Sequence, residues 1–195
     1  VAMAHCNTCT SEIDAWVRLF GEVLRRNGAD VPMDALYAQL YSAALDGAPD
    51  AGGMVAFNYF AGEPLSATEH GRPMLVRLPE SALSVPNFMR AQLYGALATL
   101  RMGVDLLREQ ENVPLDRLLG HGGFFKTPRA GQQILADVFG VPAAQMETAG
   151  EGGPWGMALL AAYRANRAPG ETLEDYLQTR VFQNARCETL QPTPE

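Results

Sequence analysis

The sequence has no apolar run long enough to cross a bilayer, so a helical membrane span is not expected. It has no dense block of lysine and arginine. With a formal net charge of −7, a general role on nucleic acid or on an anionic membrane is disfavoured. Cysteine is scarce: three residues, an odd number, do not make a secreted disulfide scaffold, and a cytoplasmic protein is expected. The three histidines, His5, His70 and His121, and Cys187 show no metal-ligand spacing. There is no Gly-Lys-Ser/Thr and no G-x-G-x-x-G, which removes the Walker A loop and the dinucleotide fingerprint. Repeats and low-complexity tracts are absent. The first residues do not follow a secretory leader pattern. Both ends read as cut, Val1-Ala2-Met3-Ala4-His5 as the middle of a strand and Thr193-Pro194-Glu195 as a stop before another element, so a longer parent is expected.

What is present is a 195-residue chain, 47% hydrophobic, long enough for a substantial core. Val1–Cys6 reads as a strand. Ile13–Asn27 reads as an amphipathic helix with Ile13, Trp16, Val17, Phe20, Val23 and Leu24 on one core-facing stripe, started at Thr10 or Ser11. Pro32 opens a second helix through Leu45. Met54–Phe60 alternates as a strand, with Val55, Phe57 and Tyr59 on one face. Turns follow at 61–64 and at His70-Gly71-Arg72-Pro73, then a strand over Met74–Leu78. Pro86–Asn112 is the longest helix, and Gly95 and Gly103 on it predict close approach by a neighbour. Arg129–Phe139, the segment from Pro154 to Arg167 and a helix capped by Thr172 complete about seven helices and about five short strands. Strands alternating with helices indicate an α/β layer fold.

Two glycine turns punctuate the last third. Gly120-His121-Gly122-Gly123 follows Leu118-Leu119, with Thr127 as N-cap and Pro128 at the first helical position. Gly150-Glu151-Gly152-Gly153 follows Gln145–Thr148, with Pro154 at the first helical position. Glycines admit close backbone approach, and a helix start offers N–H groups to anions, so a phosphate-bearing ligand suits either turn. Such turns also occur as plain packing features. Asp137 reads as structural, and Glu147 and Glu151 as solvated or holding backbone N–H groups. Cys6-Asn7-Thr8-Cys9 invites a thiol redox reading, but the helix starts after the pair and neither proline nor tryptophan flanks it.

The run Gly122-Gly123-Phe124-Phe125-Lys126-Thr127-Pro128, followed by Gln133-Ile134-Leu135-Ala136-Asp137-Val138 and Gly140-Val141-Pro142, resembles the C-terminal domain of FGGY-family carbohydrate kinases. Asn58–Glu63, Arg90-Ala91 and Pro154–Ala158 fit the same resemblance in order. The family's third glycine is Phe124 here, its alanine Phe125, and its helix glutamate Tyr94; the segment from turn to helix is one residue longer.

The resemblance implies an actin-like, ribonuclease-H-like ATPase domain with a mixed sheet flanked by helices. Residues 1–195 would be most of the C-terminal, ATP-binding domain of a two-domain kinase that transfers the γ-phosphoryl group of ATP, with Mg²⁺, to a ketopentose such as xylulose or ribulose. The sugar and the catalytic base would lie mainly on an N-terminal domain outside this chain, and the chain by itself would be inactive. The residues implied at ATP are Gly122, Gly123, Phe124, Phe125, Lys126 and Thr127, with Gly71 a further candidate. Phe124 and Phe125 are expected against the adenine, and the second glycine turn is expected to pack its alanine-rich helix close to the site. An exposed half-cleft favours self-association. The alternatives are a nucleotide-binding module of the same fold without kinase activity, and a redox protein using Cys6 and Cys9.

Overall fold

Ser84 accepts a hydrogen bond from the Asn87 N–H at 3.3 Å and, with Pro86 in the first turn, starts the helix around which the chain is built. A computed structural model describes residues 3–147, 149 and 152–194. In it the central helix α3 runs Val85–Glu109 and is buried on several sides between Asn87 and Gly103. It carries α1 (Ser11–Arg26) and α2 (Met33–Ala43) on one side and a hairpin of β1 (Met54–Phe57) and β2 (Met74–Arg77) on another. The α1 stripe meets it through Trp16 and Phe20, whose rings pack edge-on against Phe88 at 4.9 and 5.8 Å. Val23 of that stripe stays exposed, beyond the reach of α3.

Gly95 and Gly103 do the work expected of them. A Cβ on Gly95 would stand 2.7 Å from the Ala56 carbonyl oxygen of β1, and one on Gly103 would stand 2.5 Å from Ala4. This close approach decides which face of β1 turns inward. Met54 and Ala56 are buried, while Val55 is exposed, the reverse of the face expected from the alternation of large residues. A small side chain is what the backbone of α3 can accept, so size prevails over hydrophobicity here. The strand ends at Phe57, three residues earlier than expected.

The second sheet is mixed. β3 (Leu118–Gly120) lies parallel to β4 (Ala143–Met146), and β4 pairs antiparallel with β5 (Cys187–Leu190). Helix α4 (Ala130–Phe139) is the crossover between β3 and β4, so the first glycine turn sits at the C-terminal end of β3. Gln132, 2% exposed, ties the layers by donating to the carbonyls of Ala143 and Glu188. Asp137 is structural, as expected: its Oδ1 accepts from Gln133 Nε2 and from the Thr193 N–H, both at 2.8 Å.

Four expectations are corrected. Residues 3–6 form no strand, and Val1 and Ala2 lie outside the described residues; β5 had been missed. Helix α4 starts at Ala130, and Thr127 and Pro128 belong to the preceding turn. Arg129, the residue before the helix, takes φ 65°. Helix α5 (Gly152–Asn166) begins before Pro154, and Thr148, Gly150 and Glu151 lie outside the described residues. The alanine-rich helix does not pack tightly on the first. Ala158, Ala161 and Ala165 are exposed, Met157 is 70% exposed, and α5 holds the C-terminal part of the chain through Trp155–Phe182 and Tyr163–Tyr176 ring contacts. The helix capped by Thr172 is a short α6 (Leu173–Tyr176) running into a π turn over Leu177–Val181.

Candidate functional site

The loop after β3 is shaped by three glycines with three different tasks. Gly120 makes room for the Phe125 ring, which would lie 2.5 Å from a Cβ there. Gly122 takes φ 104°, ψ −175°, a region open almost only to glycine, and its N–H donates to the Ala149 carbonyl at 2.6 Å. Gly123 needs neither; a Cβ on it would meet nothing within 4 Å. Residues Gly123–Phe125 then make one 3-10 turn, fastened from β4 by Gln145 Nε2, which donates to the Phe125 carbonyl at 2.8 Å.

The two phenylalanines turn inward. Phe124 and Phe125 are buried, 5.3 Å apart in an edge-on pair, and Phe124 packs edge-on against Tyr41 at 5.9 Å. Both rings are largely buried, and Phe125 is among the residues lining the larger of the two clefts described below. The substitution of small residues by phenylalanine has filled the core under the loop. Gly71 is also set apart: a Cβ on it would collide with the Phe60 carbonyl at 2.1 Å, so it serves a backbone crossing after β1 and lines neither cleft described below.

Two clefts flank the loop. The larger, about 560 Å³, opens over β4 and β5 and is lined by Lys126, Arg129, Arg186, Glu147 and Glu188 around Phe125, Gln132 and Gln145, so Lys126 borders both clefts. Two of its cations face carboxylates, Arg129 at 3.6 Å from Glu188 and Arg186 at 4.0 Å from Glu147, and Lys126 adds a third cation to the wall. The smaller, about 390 Å³, lies between the glycine loop and the first two helices. Gly123, Lys126 and Thr127 form one wall, Thr10 and Asp14 of the α1 start another, and Asp34, Tyr37, Ala38 and Tyr41 of α2 a third. Its size is that of a small-molecule site.

The smaller cleft divides chemically. On the helix side, Asp14 Oδ1 accepts the Tyr37 hydroxyl hydrogen bond at 3.0 Å. Burial and the neighbouring Asp14 hold both Tyr37 and Tyr41 above the usual phenol range, so both remain neutral donors. On the loop side stands Lys126, the one lysine in the chain. The structure thus brings Gly123, Lys126 and Thr127 into one cavity, and puts Gly122 beside it. Sequence reasoning missed the helical half: Thr10, Asp14, Asp34, Tyr37, Ala38 and Tyr41. No motif links α2 to a loop some 80 residues later in the sequence. Among the described residues, no group of three or more histidine, cysteine or acidic side chains gathers as a metal site. Among the same residues, no helix is long and apolar enough to cross a membrane.

Residues 1–165 match the model of the C-terminal domain of the FGGY family of carbohydrate kinases. No curated protein matches the chain. Among solved structures it is similar to a xylulose kinase from Rhodospirillum rubrum (TM-score 0.64, 22% identity, 93% of this chain and 34% of that one). It is similar to a ligand-bound xylulose kinase from Lactobacillus acidophilus (TM-score 0.61, 20% identity, 93% and 34%). It is also similar to a glycerol kinase with ADP from Plasmodium falciparum (TM-score 0.57, 18% identity, 86% and 30%). The chain spans about a third of the length of these kinases. With the matched family domain, the mixed sheet and its β3–α4–β4 crossover, the chain belongs to the FGGY family of carbohydrate kinases, as a C-terminal domain of the actin-like ATPase fold.

Proposed function

We propose that the cleft between the glycine loop and helices α1 and α2 is the ATP site of a carbohydrate kinase, and that this chain is the nucleotide-holding domain of it. The observation that carries the reading is Gly123. It lines the cleft, its backbone is not forced to be glycine, and the space where a side chain would stand is empty. A glycine kept free of both strain and contact suits a wall that a ligand must approach closely.

The residues present fit a nucleotide. Asp14 and Asp34 would repel phosphate, so the helix side takes the parts of ATP that donate hydrogen bonds, the ribose hydroxyls and the amino group of the base. Ala38 and Tyr41 offer an apolar surface for the base there. Phe124 contributes from beneath, by supporting Tyr41. Gly122, Gly123, Lys126 and Thr127 stand where the phosphate end is accommodated. ATP supplies the transferable γ-phosphoryl group, and Mg²⁺ would enter bound to its phosphates.

The sugar is held mainly outside these residues. A ketopentose such as xylulose or ribulose is the acceptor we favour, because the Ile134–Val138 and Val141-Pro142 features resemble the ketopentose members. Gluconate and glycerol kinases share the fold at similar likeness, so the fold does not choose among acceptors. Lys126 is the one lysine and borders both clefts, so its labelling tests whether a nucleotide binds beside the glycine loop at all. An ATP analogue carrying an amine-acylating phosphate anhydride is expected to modify Lys126, and excess ADP is expected to protect it. Labelling of Lys126 that ADP leaves unchanged would overturn the assignment.

A further inference from the structure

A third cleft, about 450 Å³, lies where the chain leaving β1 crosses the loop before α1. Its frame is a closed turn. The Glu63 N–H donates to the Thr68 carbonyl at 2.7 Å, the Thr68 N–H donates back to the Glu63 carbonyl at 3.1 Å, and Ala67 between them takes φ 52°. The bare backbone of Gly62 lets the two arms meet, since a Cβ there would run into the carbonyl oxygens of Glu69 and Thr68. Asn7 ties the turn to the loop before α1. Its N–H donates to Glu63 Oε2 at 2.8 Å, and its Nδ2 donates to the Gly62 carbonyl at 2.5 Å. The crossing sets two carboxylates, Glu63 and Glu69, in the wall of one cleft. That cleft shares no lining residue with the one assigned to ATP.

The two carboxylates differ. Glu69 is exposed. Glu63 is 1% exposed, and its Oε1 is buried with no hydrogen-bond partner among the described residues. Among the same residues, no arginine, lysine or histidine lines the cleft. A buried carboxylate oxygen left in this way lacks a donor, and a cationic donor supplies both the hydrogen bond and the charge. With Oε2 taken by Asn7, Glu63 offers one oxygen. That suits the compact charge of an ammonium better than the two-pronged fork of a guanidinium. A bare metal ion is poorly served, because no third acidic, histidine or cysteine side chain joins the pair among the described residues. Pro64 and Ala67, both exposed, line the same cleft and give methylene groups an apolar surface. We propose that this cleft binds a short aliphatic diamine, with one ammonium at Glu63, the other at Glu69 and the methylene chain along Pro64 and Ala67. A lysine side chain from a partner protein would bring only one ammonium to a wall with two carboxylates.

The test is a titration of the isotope-labelled 195-residue chain with diaminobutane at constant ionic strength, followed by NMR. The amide signals of Asn7, Glu63 and Thr68 are expected to shift together and to saturate. Butylamine, with one ammonium, is expected to saturate the same signals with about two- to fivefold lower affinity. Glu63→Gln keeps an oxygen for the Asn7 N–H and removes the charge; it is expected to weaken diaminobutane at least about tenfold. Glu69→Gln changes an exposed side chain, should fold as the parent does, and is expected to bring diaminobutane down to the affinity of butylamine. Shifts that never saturate would overturn the proposal. So would equal affinities for diamine and monoamine, or a Glu69→Gln chain that binds diaminobutane as the parent does, whether or not Glu63→Gln folds. Tighter binding of Nα-acetyllysine methylamide than of diaminobutane would also overturn it, in favour of a partner's lysine. The same shifts brought by calcium at lower concentration would overturn it in favour of a metal ion.

Discussion

At the residue scale, the glycine loop separates folding from binding. Gly122 sits at φ 104°, so Gly122→Ala is expected to cost about 1–3 kcal/mol of stability. Gly123→Val should leave the melting temperature of the chain near the parent's, because the new side chain meets open space. The same variant should weaken ADP binding at least tenfold by occupying the cleft. Thermal unfolding and calorimetric titration of the two variants measure both effects. A Gly123→Val chain that binds ADP as the parent does would remove the glycine wall from the account.

At the scale of elements, α3 carries the stability and α2 the site. Arg90, buried, donates to the carbonyls of Ala44 at 2.9 Å and Leu45 at 3.2 Å, which end α2, and to the Tyr94 hydroxyl at 3.1 Å. Tyr94 in turn donates to the Pro49 carbonyl at 3.1 Å. Tyr94 stands where the resembling family helix has glutamate, and here it supplies the oxygen facing the arginine. Arg90→Ala strands those carbonyls in the core, and is expected to destabilise by about 2–4 kcal/mol and to loosen α2, lowering ADP affinity as well. Gly95→Val forces β1 from α3 and should cost about 1–3 kcal/mol. Denaturant unfolding of both variants, with ADP titration of the folded fraction, checks whether only the arginine change reaches the cleft.

Helices were legible where periodicity and end signals agreed, as in α1 and α3. Failures came where a neighbour decided the outcome. The inward face of β1 follows from the bare backbone of Gly95, which one strand's own alternation does not reveal. The late start of α4 goes with the left-handed backbone of Arg129, which keeps Thr127 and Pro128 in the preceding turn. The loop half of the cleft was legible because its glycines and lysine are contiguous. The half on α1 and α2 was not, because Asp14, Tyr37 and Tyr41 become neighbours of Gly123 only through packing on α3.

At the scale of the whole molecule, the chain spans about a third of the kinases it resembles, and only one wall of a kinase cleft is expected on it. Incubated with MgATP and either xylulose or ribulose, the chain should release no ADP beyond the rate without sugar; sugar-dependent release would place acceptor and catalytic base within these residues. ADP affinity should be weak, since one wall leaves much of the ligand in water. The central claim is the choice of cleft, the smaller one under Gly123 rather than the larger one between Arg129 and Arg186. An ADP titration of the isotope-labelled 21.1 kDa chain followed by NMR tests it most directly. The account predicts that the amide signals of Thr10, Tyr41, Gly123 and Thr127 shift together along one binding curve, while those of Arg186 and Glu188 stay still. Shifts confined to Arg129, Arg186 and Glu188 would contradict it.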